Sequence, residues 1–257
     1  KGLIKMTKIA ICGASGKMGH FIADVIASRE DCKTVCGIDK FGEKYSDFEI
    51  VREASQMPEK PDVIIDFSNP ASLDSLIEYC TMNSVALVIG TTGYSKEEIE
   101  KINKAAQQIP VFFTFNMSLG INLLTDLAKR AASILGEQFD IEIVEQHHNQ
   151  KIDAPSGTAI MLANAINEEL DNKYTYVYDR HSVRAKRTKT EIGMHAVRGG
   201  TIVGTHEIIF AGRDEVITLK HEAHSKQVFA VGSVNAACFL AGKPAGLYSM
   251  NELIKEM

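Results

Sequence analysis

The chain has 257 residues, 45% of them apolar and 24% charged, and carries a net charge of −5. This is ordinary globular composition, and the length favours two domains over one core. The acidic balance argues against nucleic acid as the main partner, because phosphate binding rests on a basic face, whereas a small anionic substrate needs only a local positive pocket. No apolar run approaches the roughly 18 residues of a membrane span. The opening KGLIKMTKIAI lacks the long apolar segment of a signal peptide. A soluble cytoplasmic protein with no membrane partner is therefore expected. Five cysteines (Cys12, Cys32, Cys36, Cys80 and Cys238) show no metal-ligand spacing, which points to reduced core thiols and no metal.

Strand and helix signals alternate through the first 118 residues. Lys8 to Cys12 is a short apolar run ending in glycine, and Met18, Phe21, Ile22, Val25 and Ile26 then recur at helical spacing. Thr34 to Asp39, Asp62 to Phe67, Val85 to Ile89 and Val111 to Phe115 read as further strands. Ser95 followed by Glu98 is a capping box at the start of one intervening helix. Continuous apolar strands separated by helices predict a doubly wound parallel sheet covered on both faces.

The loop after the first strand, Gly13-Ala14-Ser15-Gly16-Lys17-Met18-Gly19, fits G-x-x-G-x-x-G. A strand before it and an amphipathic helix after it give the context of a Rossmann dinucleotide site, where the backbone must approach a pyrophosphate closely at a helix N-terminus. Asp39, twenty residues beyond Gly19, can accept from ribose hydroxyls, and Lys40 can meet a 2′-phosphate. Gly90-Thr91-Thr92 and Thr114-Phe115-Asn116-Met117 also lie just past the carboxyl ends of strands, where such sheets bind ligands, although an ordinary turn explains each equally simply.

After Asn116 the pattern becomes α+β. A helix is predicted from about Leu119 to Leu135 with Gly136 ending it, then a strand over Asp140 to Glu145 and a helix from about Thr158 to Leu170. An irregular basic stretch over 179–190 carries Arg184, Lys186, Arg187 and Lys189, and a solvated loop suits it better than a nucleic-acid patch. Two strands, Thr201 to Phe210 and Glu215 to His221, flank a hairpin turn, and Val228 to Leu253 reads as helix returning to the first domain. The expected division is 1–118, 119–226 and 227–257.

The densest chemistry lies in EIVEQHHNQKIDAPSGTA, Glu142 to Ala159. A strand delivers Glu145, His147 and His148 to its end, Lys151 follows, and Ser156 is a plausible N-cap whose successors Gly157 and Thr158 open a helix. An imidazole, an ammonium and a helix terminus in one short span suit a carboxylate-bearing substrate that must be held and protonated. Adjacent strand residues point to opposite faces, so one histidine is expected to face the reaction and the other to bind substrate. On these residues alone, a structural or surface role for either histidine stays open.

This tract, together with GASGKMG, DVIIDFSNP, VIGTTGYS, FNMSLGINLL, HAVRGGTIVGTH and AGKPAGLYSM, resembles the dihydrodipicolinate reductases over essentially the whole chain. The resemblance implies reduction of 4-hydroxy-tetrahydrodipicolinate by NADH or NADPH in diaminopimelate and lysine biosynthesis. It implies a mixed open sheet in the second domain and a homotetramer built through that sheet. It also implies His147 as proton donor, Lys151 as second donor or charge partner, and His148, Gly157 and Thr158 as substrate contacts. The cofactor would lie along Gly13, Ala14, Ser15, Gly16, Lys17, Met18, Asp39, Lys40, Gly90, Thr91, Thr92, Thr114, Phe115, Asn116 and Met117. Lys17 stands where the family usually has Arg, and Asp39-Lys40 replaces the commoner Glu-Arg, so cofactor preference is left open. The rivals are another oxidoreductase of an amino-acid semialdehyde or imine, whose families lack this tract, and a non-catalytic dinucleotide sensor.

Overall fold

The short apolar runs of the first half become neighbouring strands because each is apolar at every position and so needs cover on both faces. The computed structural model describes Met6–Met257; the first five residues of the opening KGLIKMTKIAI, read above as lacking a signal peptide, lie outside it. Strands β1 (Thr7–Cys12), β2 (Cys32–Ile38), β3 (Glu49–Val51), β4 (Val63–Asp66), β5 (Ala86–Ile89) and β6 (Pro110–Phe113) join β12 (Gly246–Tyr248) in one sheet ordered β12-β6-β5-β4-β1-β2-β3. Every pairing in it is parallel. Alternate residues serve opposite faces. Ile9, Ile11, Val63 and Ile65 pack with Ile22 and Ile26 of α1 (Lys17–Ala27) and Val234 and Leu240 of α6 (Gln227–Leu240). Ala10, Ile64 and Leu87 pack with Leu76 of α2 (Leu73–Asn83) and Ile102 of α3 (Lys96–Ala105). The Ser95–Glu98 capping box is present in both directions.

The second sheet is mixed and ordered β11-β10-β7-β9-β8. It comprises β7 (Asp140–His147), β8 (Thr175–Val177), β9 (Glu191–Arg198), β10 (Gly204–Ala211) and β11 (Val216–Ala223). Its inward residues Ile141, Ile143, Ile192, Ile208 and Phe210 pack with α4 (Leu119–Leu135) and α5 (Gly157–Glu169). The chain falls into two compact units, one reaching Leu119 and resuming at Gln227, the other Gly120–Lys226.

Several elements differ from expectation. β3, β8, β9 and β12 were not predicted. The C-terminal stretch is two helices, α6 and α7 (Met250–Glu256), broken at Gly242 with φ +82° and joined through β12. In the irregular basic segment Arg187 is not free in solvent. Its guanidinium donates to Asp140 (3.0 Å) and Glu142 (3.1 Å), while Arg180 pairs with Glu142 and Glu191. No helix among the described residues is long and apolar enough to cross a membrane.

Candidate active site

In the first unit the parallel order brings the carboxyl ends of β1, β2, β4, β5 and β6 to one edge. Gly13, just past β1, has φ +79°, and a Cβ there would lie 2.4 Å from the Phe67 carbonyl oxygen. A Cβ on Gly19 would lie 2.3 Å from the Ala14 carbonyl oxygen. Only glycine fits either position. α1 begins with Gly16 as N-cap and no side-chain cap, so its first turn offers backbone N–H groups and the positive end of the helix dipole to an anion.

The Asp39 carboxylate accepts from the backbone N–H of Ser15 (3.1 Å) and of Phe41 (3.1 Å), fixing it at the lip of the glycine loop. Gly13, Gly16, Asp39 and Lys40 line one cleft of about 900 Å³ with Phe41 and Arg52, a size suited to a cofactor. Lys17 is exposed and Met18 half-buried in the first turn of α1, while Ala14 is fully buried and offers only its backbone. The other two expected loops occupy the same edge beyond β5 and β6. Gly90 gives way to the Phe67 ring, which its Cβ would meet at 2.2 Å, and Thr91 Oγ1 accepts from Ser68 N–H at 3.0 Å. Thr92 is exposed, and Thr114 is half-buried. Asn116 Oδ1 accepts from Ser118 N–H at 2.8 Å, Phe115 is largely exposed, and the Met117 side chain is buried in the core. The sequence reading missed Tyr45, whose hydroxyl donates to the Ala14 carbonyl (2.9 Å) and whose ring stacks on His20 at 3.8 Å. Gly13→Ala is expected to cost about 1–3 kcal/mol of stability, through left-handed strain and the Phe67 clash, and to weaken dinucleotide binding. Denaturant unfolding and fluorescence titration with NADH would check both.

In the second unit β7 runs two residues further than predicted, ending at His147. Its alternation buries Glu145 and His147 on one face, at 1% and 8% exposure, and leaves His148 half-exposed just past the strand. His147 Nδ1 lies 2.6 Å from Glu145 Oε2. Arg198, at the end of β9, donates to both oxygens of that carboxylate (2.8 and 2.7 Å), and the Ser156 N–H adds a bond at 3.0 Å. Burial pushes the Glu145 carboxyl pKa up, but these donors outweigh it and hold the group below the ordinary glutamate value. With Glu145 ionised, Nδ1 is the donor, and Nε2 is the imidazole nitrogen left to act. Gly204 makes room for it, since a Cβ there would stand 3.1 Å from Nε2. Burial lowers the His147 pKa more than Glu145 raises it, and the charges of Lys151 and Arg198 lower it further.

Lys151 pairs with Asp153 at 2.9 Å, and Arg198 also donates to the Asp153 carbonyl at 2.6 Å, tying the 151–156 loop to the sheet. Ser156 is the N-cap of α5, its Oγ accepting from Ala159 N–H at 3.1 Å. Gly157, exposed, and Thr158, half-buried, open that helix as expected, and the space beside Gly157 is unfilled. Two residues that sequence reasoning did not assign complete the cluster. One is Arg198. The other is His206 on β10, which meets His147 edge-on at 5.2 Å between centroids and reaches Ser156 Oγ at 3.0 Å. Burial brings the His206 pKa down to about 4, so it is neutral at pH 7. Both lie in the HAVRGGTIVGTH stretch, whose one arginine, two histidines and three glycines were the available signal.

Residues 7–117 match the N-terminal domain of dihydrodipicolinate reductase, and residues 120–254 match its C-terminal domain. The chain belongs to the dihydrodipicolinate reductase family. It is therefore an NAD(P)H-dependent oxidoreductase. Among its relatives, the 4-hydroxy-tetrahydrodipicolinate reductase of Clostridium novyi is 46% identical, covering 97% of this chain and 99% of its own. That of Caldanaerobacter subterraneus is 47% identical, covering 98% and 99%. A solved dihydrodipicolinate reductase from Paenisporosarcina sp. TG-14, with dipicolinate bound, superimposes with a TM-score of 0.80 at 26% identity over 96% of this chain and 99% of that one.

Proposed function

We propose that the chain reduces 4-hydroxy-tetrahydrodipicolinate to tetrahydrodipicolinate with NADH or NADPH, in the cytoplasm, as a step of diaminopimelate and lysine biosynthesis. The observation that carries the chemistry is the His147–Glu145–Arg198 cluster beside the start of α5. The dinucleotide fits the first unit, where Gly13 and Gly19 let the loop fold tightly against the Phe67 and Ala14 carbonyls and the start of α1 is uncapped. It would be held along Gly13 to Met18, Asp39, Lys40, Gly90 to Thr92 and Thr114 to Met117. When bound, it supplies the hydride. Asp39 suits a free ribose and Lys40 a 2′-phosphate, so both cofactors are accepted.

The bound dipicolinate of the Paenisporosarcina reductase supports a ring dicarboxylate as ligand. His148, Gly157 and Thr158 would grip its carboxylates, with backbone N–H groups and the helix dipole meeting negative charge. Lys151 adds a point charge to the same region. In its protonated form His147 gives its Nε2 proton to the substrate as negative charge develops there, and Glu145, accepting from Nδ1, orients the ring so that Nε2 is the nitrogen that donates. Assembly into a homotetramer through the second sheet is supported by its uncovered face, where Val216 and Val197 remain exposed opposite the helices.

The direct test couples the purified chain to a synthase that condenses pyruvate with aspartate semialdehyde and follows loss of nicotinamide absorbance. Consumption of both NADH and NADPH is expected, and no consumption with either would end this reading. Lys151→Ala should raise KM roughly tenfold and lower kcat by about 10²-fold; wild-type kinetics would remove its charge from the mechanism.

A further inference from the structure

Two thiols meet in the first unit, away from the glycine loop. Cys32 opens β2 and is 3% exposed, and Cys238, in the last turn of α6, is partly exposed. Their sulfurs and a carboxylate oxygen of Asp31 all lie within 4.8 Å of one another. The geometry resembles a three-ligand metal site, but Arg29 stands in it. Its Nε and Nη2 donate to the two Asp31 oxygens (2.8 and 2.6 Å), Nη2 is 3.8 Å from Cys238 Sγ, and Nη1 donates to Asn235 at 2.6 Å. A guanidinium that already neutralises the carboxylate repels a second cation. A disulfide is neutral, needs no third ligand, and leaves Arg29 undisturbed.

We propose that Cys32 and Cys238 are a thiol pair that hydrogen peroxide converts to an intramolecular disulfide, and that a dithiol reductant restores. The more accessible Cys238 sulfur attacks a peroxide oxygen. The O–O bond breaks, one water leaves, and a sulfenic acid remains on Cys238. Cys32 then attacks the Cys238 sulfur, the S–O bond breaks, and the hydroxyl leaves with the Cys32 thiol proton as a second water. Two thiols lose two electrons, and one peroxide becomes two waters. Burial pushes both thiols up, Cys32 to about 12, while Arg29 draws Cys238 back down. Contact rather than acidity therefore drives the reaction, which quickens as pH rises. The bond would join β2 to α6 and close a ring containing the entire second unit, restricting the unfolded chain.

The reduced, desalted full chain would be treated with hydrogen peroxide at pH 8. Expected are an intact mass lower by two hydrogens, a non-reduced peptide map joining the Cys32 and Cys238 peptides, and a thermal midpoint raised by roughly 5 °C that dithiothreitol reverses. Cys32→Ser should stop at a Cys238 sulfenic acid that dimedone captures. An unchanged mass in the folded wild-type protein, or a cross-link through any other cysteine, would overturn the proposal. So would one equivalent of Zn²⁺ retained by the reduced chain and lost in Asp31→Asn.

Discussion

His147→Gln is expected to lower turnover by about 10²–10⁴-fold while leaving NADH affinity within a few-fold of wild type. The glutamine can keep a bond to Glu145, so the buried carboxylate stays partnered and the fold is retained, yet it has no proton to give. The pH dependence follows from the environment of the imidazole. Its charge is faced by Glu145 on β7, Arg198 on β9, His206 on β10 and Lys151 in the loop, and burial places its pKa below the ordinary 6.5. In the free protein the ring is therefore neutral at pH 7, and its protonated, donating form grows as pH falls. The kcat/KM profile should decline on its alkaline side from below pH 6.5. A bound dianion raises the same pKa, so kcat should hold to higher pH. Glu145→Gln removes the one group that raises the His147 pKa and should move the kcat/KM limb to lower pH. Unchanged turnover in His147→Gln, or a limb indifferent to Glu145, would remove this imidazole from the proton transfer.

The first unit was the more legible half because its strands are locally continuous in apolar residues and its glycine loop is contiguous. Gly13, Gly16, Asp39 and Lys40 were named from spacing, and they line one cleft. The second unit depends on long-range pairing that local pattern does not carry. β9 was missed because only Ile192 and Met194 of its alternating positions are large and buried, and Gly193 interrupts the apolar signal to make room for the Glu142 side chain. Its partner β7 lies some fifty residues away in sequence. With β9 unseen, Arg198 had no reason to be placed beside Glu145. His206 reads as one polar residue in an alternating strand, and its contact with Ser156 spans fifty positions. The break in the C-terminal helical stretch, by contrast, was signalled by Gly242-Lys243-Pro244, a turn sequence that the apolar periodicity around it masked.

Arg198→Ala should be the most destabilising substitution near the site, by about 3–5 kcal/mol. Glu145 is 1% exposed and cannot turn to water when its two guanidinium bonds vanish. The Asp153 carbonyl loses its donor as well, freeing the loop that carries Lys151. Glu145 would then meet burial without its counter-charge, so its pKa should rise and a proton bind where the carboxylate had oriented His147. Turnover should fall with stability for that reason. Arg198→Lys keeps a positive charge but loses the planar fork, so it should recover part of the stability and little of the activity. The pair Glu145→Leu with Arg198→Met separates the two roles. Replacing both buried charges with apolar groups should return most of the stability while turnover stays low, because nothing then fixes the His147 tautomer. Denaturant unfolding beside steady-state kinetics on the four proteins reads this directly. An Arg198→Ala protein that unfolds at the wild-type denaturant midpoint would mean that Glu145 does not depend on this guanidinium for its burial.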